Sequence, residues 1–329
     1  MVRLRASADP LDATALALLE TALAASTVAS YSAKFAAFAR FCHRFGSHPL
    51  APPPGIILRY QAHMFEERRV HPRNWRPYLA CINRAHDDFG LPAPARSRVV
   101  SQATRGALRL SESWPHTAPL RRPLPAATVS AAVVLAACLK PEARGAPLLV
   151  AMAVIFFLRA SSLAYVEPAH FSFLPNGVLE VAIVKHKTRL ATVLVRTLPP
   201  ASPLLVNFIA ALRDFVASRP GGVPVFPLSQ DAPSVGLSAA VGAVLHVAGA
   251  QPPPGTLWSG HSCRAGGATA ALSIGVSLPM VMQWGDWQSL TSVQRYLDAL
   301  VAPSPAAFSL FGHLRRDTLL PDTPQDSGQ

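Results

Sequence analysis

Acidic residues are scarce in this chain of 329. Asp and Glu number 18 against 30 Lys and Arg, and the formal net charge is +12. Arginine supplies most of the surplus. A guanidinium fork matches phosphate oxygens two at a time, so the surplus points to a polyanionic partner, although charge alone does not separate nucleic-acid binders from other basic proteins. Cysteine is nearly missing. Cys42, Cys81, Cys138 and Cys263 are scattered without metal-ligand spacing, which excludes a disulfide framework and reads as buried small apolar residues in a reducing compartment. Long hydrophobic runs are missing too. The best, residues 146–158, has 13 residues, short of the roughly 20 that span a bilayer, so it reads as a core helix with no membrane partner. The first residues lack a basic segment followed by an apolar stretch and a cleavage site, so no secretory signal is expected. There is no internal repeat. What is present is length enough for two domains and a hydrophobic share of 50% to build their cores.

Residues 1–112 read as helical. Apolar residues recur at helical spacing over 11–24. Ser26 and Thr27 suit the start of a second helix, along which Tyr31, Phe35, Phe38, Phe41 and Cys42 fall three and four apart on one face. Gly46 stops it, and 49–55 form a loop. Helices over 56–67 and 74–88 follow, the latter ended by Gly90 and Pro92. A basic helix over 96–110 carries Arg98, Arg105 and Arg109, candidate DNA contacts. This half holds 15 Lys and Arg against 8 Asp and Glu, so it contributes +7 of the charge. Residues 113–124, rich in proline and polar groups, suit a linker. Beyond them, 126–139 and 146–166 are helical by length and composition. The stretches 178–184 and 191–198 alternate and are rich in β-branched residues. They flank Lys185-His186-Lys187-Thr188-Arg189, so the unit reads as a hairpin. Helices are expected over 203–218, 234–249 and from 261 onward, with 321–329 a disordered polar tail. The fold class is therefore mainly α with a small β-hairpin or sheet (α+β), as a helical domain 1–112, a linker 113–124 and a second domain 125–320.

Ser259-Gly260-His261-Ser262-Cys263-Arg264-Ala265-Gly266-Gly267 is the most informative segment. His261 and Arg264 are three apart at a helix start and project from one face. Gly266 and Gly267 allow close backbone approach, by DNA or by a neighbouring helix. Taken alone, the segment is equally a helix start with a capping His and a surface Arg. Upstream, Arg159 ends a very apolar helix in Phe157-Leu158-Arg159-Ala160-Ser161-Ser162-Leu163. A charge there is costly unless something pairs with it, and a structural ion pair is the alternative to a functional partner. Downstream, Gly285-Asp286-Trp287-Gln288-Ser289 is followed by Tyr296, nine positions after Trp287.

In this order the pieces resemble the tyrosine recombinase (phage integrase) superfamily: an Arg, a hairpin Lys, His-x-x-Arg, a His or Trp, then a Tyr. The Gly-Gly-Ala-Thr-Ala-Ala continuation and the Gly-x-Trp-x-Ser form are most similar to recombinases of DIRS-type eukaryotic retroelements. The resemblance covers the whole chain and implies that 1–112 is a core-binding (SAM-like) DNA-binding domain and 125–320 the catalytic one. Residue by residue, it implies that Arg159 and Arg264 clamp the scissile phosphate. Tyr296 attacks phosphorus, His261 helps as proton acceptor or as a donor to the phosphate, and Trp287 donates its indole N–H to a phosphate oxygen. Lys187, or alternatively Lys185, protonates the leaving 5′-oxygen, and Lys185 and Arg189 touch DNA. Ser162 departs from the pattern, because relatives carry an acid three residues after the first Arg.

The implied activity is site-specific breakage and rejoining of double-stranded DNA through a 3′-phosphotyrosyl link, without metal, ATP or other cofactor. It implies a homo-tetramer on two duplexes and a mobile-element origin. The expected location is nuclear in a eukaryote and cytoplasmic or nucleoid in a bacterium. The alternatives are a catalytically decayed DNA-binding protein of the same fold and a type IB topoisomerase-like relaxation activity. Residues 306–314 are apolar on one face. In relatives the corresponding segment docks on a neighbouring protomer, and packing on its own domain is the alternative.

Overall fold

Two hydrophobic cores form separately, one in residues 1–117 and one in 118–329. The computed structural model describes residues 25–67, 70–114, 120–184, 193–297 and 302–318, with a few isolated positions before 25. The expected helix over 11–24 and the tail 321–329 lie outside the described residues.

The first unit is helical: α1 (Ala25–Arg44), α2 (Ile56–Glu66), α3 (Arg76–Asp88) and α4 (Arg98–Leu110). The three-and-four spacing along α1 turns Phe38 and Phe41 inward, with their rings 5.2 and 5.1 Å from that of Tyr60 on α2. Trp75 is buried and donates its indole N–H to the Val70 carbonyl (2.9 Å). Helix α4 starts two residues later than the charge pattern suggests. Pro94–Arg96 form a 3-10 turn, and the Ser97 hydroxyl then accepts from the Val100 N–H (3.3 Å) as the cap.

In the second unit, β1 (Leu120–Arg121) runs parallel to β5 (Thr256–Leu257), and the Leu124 N–H donates to the Ser262 carbonyl (2.9 Å). Residues 120–124, within the stretch read as a linker, are thus built into this unit. Helix α5 (Ala126–Cys138) packs on α6 (Gly145–Ile155), and every side chain from Leu148 to Leu158 is buried. No helix among the described residues is long and apolar enough to cross a membrane. The expected helix over 146–166 is broken: α6 ends at Ile155, and the one-turn α7 (Ala160–Leu163) follows.

The hairpin strands β3 (Leu179–Ile183) and β4 (Leu194–Leu198) pair with Val181 opposite Arg196. A third strand, β2 (Phe171–Phe173), joins them in the antiparallel order β2-β3-β4. At three residues, β2 is too short to show a period. The remaining helices are α8 (Pro203–Ala217), α9 (Pro233–Val247), α10 (Gly260–Ser273), α11 (Leu278–Gly285), α12 (Leu290–Leu297) and α13 (Pro305–Phe311). The helical stretch expected from 261 onward consists of several short helices, α12 among them. The described residues are mainly helical, with a small three-stranded antiparallel sheet and the short parallel pair β1-β5, the architecture the resemblance implies.

The C-terminal segment packs in cis. Ala307, Leu310, Phe311 and Leu314 are buried, the Phe311 ring is 5.5 Å from that of Phe157, and the Ser202 hydroxyl donates to the Ser309 carbonyl (2.7 Å). Apart from Phe308, which is exposed, the apolar face expected to reach a neighbouring protomer is occupied by its own unit.

Candidate functional site

Two helices end in the same unusual way. Beyond α6, the Leu158 N–H donates to Ala153 O (3.0 Å) and the Phe157 N–H to Val154 O (3.3 Å). Beyond α11, the Trp287 N–H donates to Met282 O (3.0 Å) and the Asp286 N–H to Gln283 O (3.2 Å). This 6→1 and 5→2 pattern needs a left-handed residue after the helix, normally glycine. Here the residues are Phe157 (φ 49°) and Asp286 (φ 51°), the two non-glycine residues with positive φ among those described. Such a conformation costs about 1–3 kcal/mol unless the surroundings impose it, and it concentrates at functional sites. Asp tolerates the region; a bulky Phe does not.

Arg264 is what the two ends share. It sits in the second turn of α10 at 8% exposure. One terminal nitrogen donates to the Phe157 carbonyl and the other to the Gly285 carbonyl. Its guanidinium carbon lies 4.1 Å from the centroid of the buried Trp287 ring. Helix C-termini are electronegative, so two of them converging on one guanidinium compensate its burial. Glycines permit the approach. A Cβ on Gly267 would lie 2.3 Å from Val154 O, one on Gly266 2.3 Å from Leu124 O, and one on Gly285 1.9 Å from the Trp287 ring. The close approach at Gly266 and Gly267 is thus to protein backbone, to the strand-like 120–124 segment and to α6.

Arg159 follows from the break after α6. Two residues past left-handed Phe157 it is extended (φ −83°, ψ 150°), half-buried, and stands at the N-cap of α7. Its guanidinium makes no hydrogen bond or ion pair with the described residues. The structural ion pair considered from sequence is therefore not found among them. Ser162, in the place where the resemblance leads one to expect an acid, is buried in α7. Among the described residues the one buried carboxylate is Asp286, which accepts from the Gln288 amide (3.2 Å).

His261 is exposed in the first turn of α10, one turn before Arg264. Tyr296 lies on α12, which packs on α10 and buries Val293 in the core of the unit; the Tyr296 side chain, with Lys185, Lys187 and Arg189, lies outside the described residues. Arg159, Arg264 and Trp287 are thus gathered where α6, α10 and α11 meet, beside the helix that bears Tyr296. In the first unit, Arg98, Arg105 and Arg109 are all exposed. At 100° per residue they fall within a narrow stripe of α4, opposite buried Val100 and Ala107. None of the three pairs with a described carboxylate.

Competing nucleophiles are disfavoured. Tyr60 is buried, and burial pushes its phenol pKa well up. Burial pushes the Cys263 thiol up to about 12 and the Cys81 thiol up to about 11, so both stay protonated and inert. Among the described residues no group of three His, Cys, Asp or Glu side chains could hold a metal ion. Sequence reasoning missed two buried polar residues near this junction, Asp286 and Arg196. Period-two alternation with Leu194 and Leu198 could have assigned Arg196 to the inward face of β4.

No protein-family model matches the sequence, and no curated protein matches it. Solved structures do. The Tn1549 transposon integrase, in complex with transposon right end DNA, aligns with TM-score 0.56 at 14% identity, over 93% of this chain and 98% of that one. A lambda integrase dimer bound to a COC′ core site aligns with TM-score 0.49 at 16% identity, over 88% and 94%. The likeness to the Tn1549 integrase carries the conclusion: over nearly its whole length, this chain has the fold of a tyrosine-recombinase-type integrase.

Proposed function

We propose that this chain breaks and rejoins double-stranded DNA as a tyrosine recombinase, with Tyr296 as nucleophile. The observation that carries the reading is the pair Arg159 and Arg264. One guanidinium is without a partner among the described residues, and the other is buried at two strained helix ends over Trp287. Attack on a phosphodiester builds negative charge on its non-bridging oxygens, and preorganised guanidinium donors stabilise it.

The Tyr296 oxygen forms a bond to phosphorus and the bond to the 5′-oxygen breaks, leaving a 3′-phosphotyrosyl link and a 5′-hydroxyl. His261 accepts the phenol proton. Lys187, in preference to Lys185, donates one to the leaving oxygen, and Trp287 donates its indole N–H to the phosphate. The reverse reaction reseals the strand. The ester is conserved in the protein link, so no ATP is consumed. The stripe Arg98, Arg105 and Arg109, with Lys185 and Arg189, holds the DNA backbone.

The finer reading is a recombinase of a DIRS-type mobile element, nuclear in its host, exchanging strands as four protomers on two duplexes. With the C-terminal apolar face packed in cis, assembly uses other surfaces or requires that segment to release.

A suicide substrate that loses its 5′-end after cleavage tests the reading. Wild-type protein should give a denaturant-resistant adduct, and Tyr296→Phe should bind DNA equally and give none. An adduct that persists in Tyr296→Phe defeats the assignment of the nucleophile.

A further inference from the structure

Strand β4 carries a charge where its pattern calls for an apolar residue. Leu194, Arg196 and Leu198 share one face of the sheet, and Arg196, opposite Val181, is 7% exposed. A guanidinium in that position is costly unless it is compensated. It reaches the last turn of α11, where Nη2–H donates to the Gln283 carbonyl (2.8 Å) and the guanidinium carbon lies 5.4 Å from the Trp284 ring centroid. The final carbonyls of a helix form its negative pole, so the guanidinium adds a charged donor to a carbonyl that already accepts from the Asp286 N–H. Trp284 donates its indole N–H to Ile155 O at the end of α6 (2.9 Å) and stacks on Phe156 at 6.2 Å and 15°. The two helix ends that Arg264 joins through Phe157 and Gly285 are therefore joined a second time, through Arg196 and Trp284.

We infer that Arg196 is a positioning residue of the strand-breaking site. By gripping the end of α11 from β4, it fixes the Gly285 carbonyl and the Trp287 ring, and through them the direction of the Arg264 guanidinium. The inference rests on Arg264 acting as a phosphate clamp. The contacts of Arg264 include two carbonyls and one ring, and the Gly285 carbonyl and the Trp287 ring among them belong to residues 285–287. A displacement of about 1 Å in a clamp can cost on the order of a hundredfold in rate.

The test uses the full chain. Arg196→Met keeps the length and removes the fork; Arg196→Lys keeps the charge and one donor for Gln283. Three quantities are measured: the single-turnover rate of adduct formation on a suicide duplex at saturating DNA, the Kd for that duplex, and amide hydrogen exchange. Arg196→Met should slow adduct formation on the order of ten- to hundredfold, with Kd within about twofold of wild type. Amides of 283–288 should lose protection while those of α8 keep it, and Arg196→Lys should recover most of the rate. An unchanged rate in Arg196→Met would overturn the inference. So would joint loss of binding, rate and protection across the unit in both variants, which would leave Arg196 a core residue and nothing more. If wild-type protein forms no adduct, the strand-breaking reading fails on its own. The exchange arm then decides what Arg196 does, and unaltered protection of 283–288 in Arg196→Met would overturn its positioning role as well.

Discussion

Arg159 and Arg264 have the same proposed chemistry and different physical situations, which makes their substitutions distinguishable. Arg159 is half-buried without a partner among the described residues, so Arg159→Ala should cut cleavage about 10²- to 10³-fold and leave the unfolding midpoint nearly unchanged. Arg264 supplies donors to two buried carbonyls. Arg264→Ala should lose a similar factor in rate and also about 1–3 kcal/mol of stability, read from denaturant unfolding. If the two variants prove equally stable, the Arg264 contacts are not what holds the junction. The thiols give a check on burial that is independent of activity. Cys138 is exposed and should react with an aromatic disulfide reagent at pH 8, whereas Cys42, Cys81 and Cys263 are buried and should react only on unfolding.

At the scale of elements, the site depends on how closely α10 lies against α6. A methyl on Gly267 would meet the Val154 carbonyl at 2.3 Å and the Phe157 ring at 2.5 Å. Gly267→Ala must therefore separate the helices. The expected cost is about 1–3 kcal/mol for overpacking, with cleavage falling more than DNA affinity because Arg264 sits on the displaced helix. Equal effects on both would mean that α10 serves binding and not orientation. The left-handed residue after each helix could be foreseen only in part. Asp286 is a residue type that tolerates φ 51°, but nothing about Phe157 announces φ 49°. Its conformation comes from contacts with Gly267, Trp287, Phe311 and Arg264, all more than 100 positions away.

At the scale of the whole molecule, the charge surplus predicts salt-sensitive binding. Each of Arg98, Arg105 and Arg109 changed to Ala should lower DNA affinity and reduce the slope of log K against log salt by about one. Slopes that do not move would remove the α4 stripe from the interface. Alkaline stability follows from the buried thiols. Cys263 and Cys81 stay protonated in the fold up to about 12 and 11, while the unfolded chain loses those protons near 9. The folded state then binds more protons, so stability should fall as pH rises from 9 toward 12. A thermal midpoint that is flat across that window would contradict the burial. Phe311 and Phe308 separate cis packing from assembly. Phe311→Asp should unfold the second unit, because Phe311 is fully buried, while Phe308→Asp, at 45% exposure, should change stability by under about 0.5 kcal/mol.

Much of this was legible in the chain itself. Period 3.6 from Ser26 and Thr27 onward put Phe38 and Phe41 on one face, period 2 over 178–184 and 191–198 announced the two hairpin strands, and the order of Arg159, His261, Arg264, Trp287 and Tyr296 named the chemistry to look for. Those signals are local, set by side-chain spacing along one element, and they survive in any context. Three features belong to the tertiary structure alone: the break after Ile155, the seating of Arg264 between two helix ends, and the packing of α13 on its own unit. Each is a competition among distant groups for the same space or the same carbonyl. Ala146 to Val166 is helical by composition throughout. It stops at Ile155, where the Leu158 and Phe157 N–H groups close on the Ala153 and Val154 carbonyls and the Phe157 carbonyl accepts from Arg264 in place of a further helical turn.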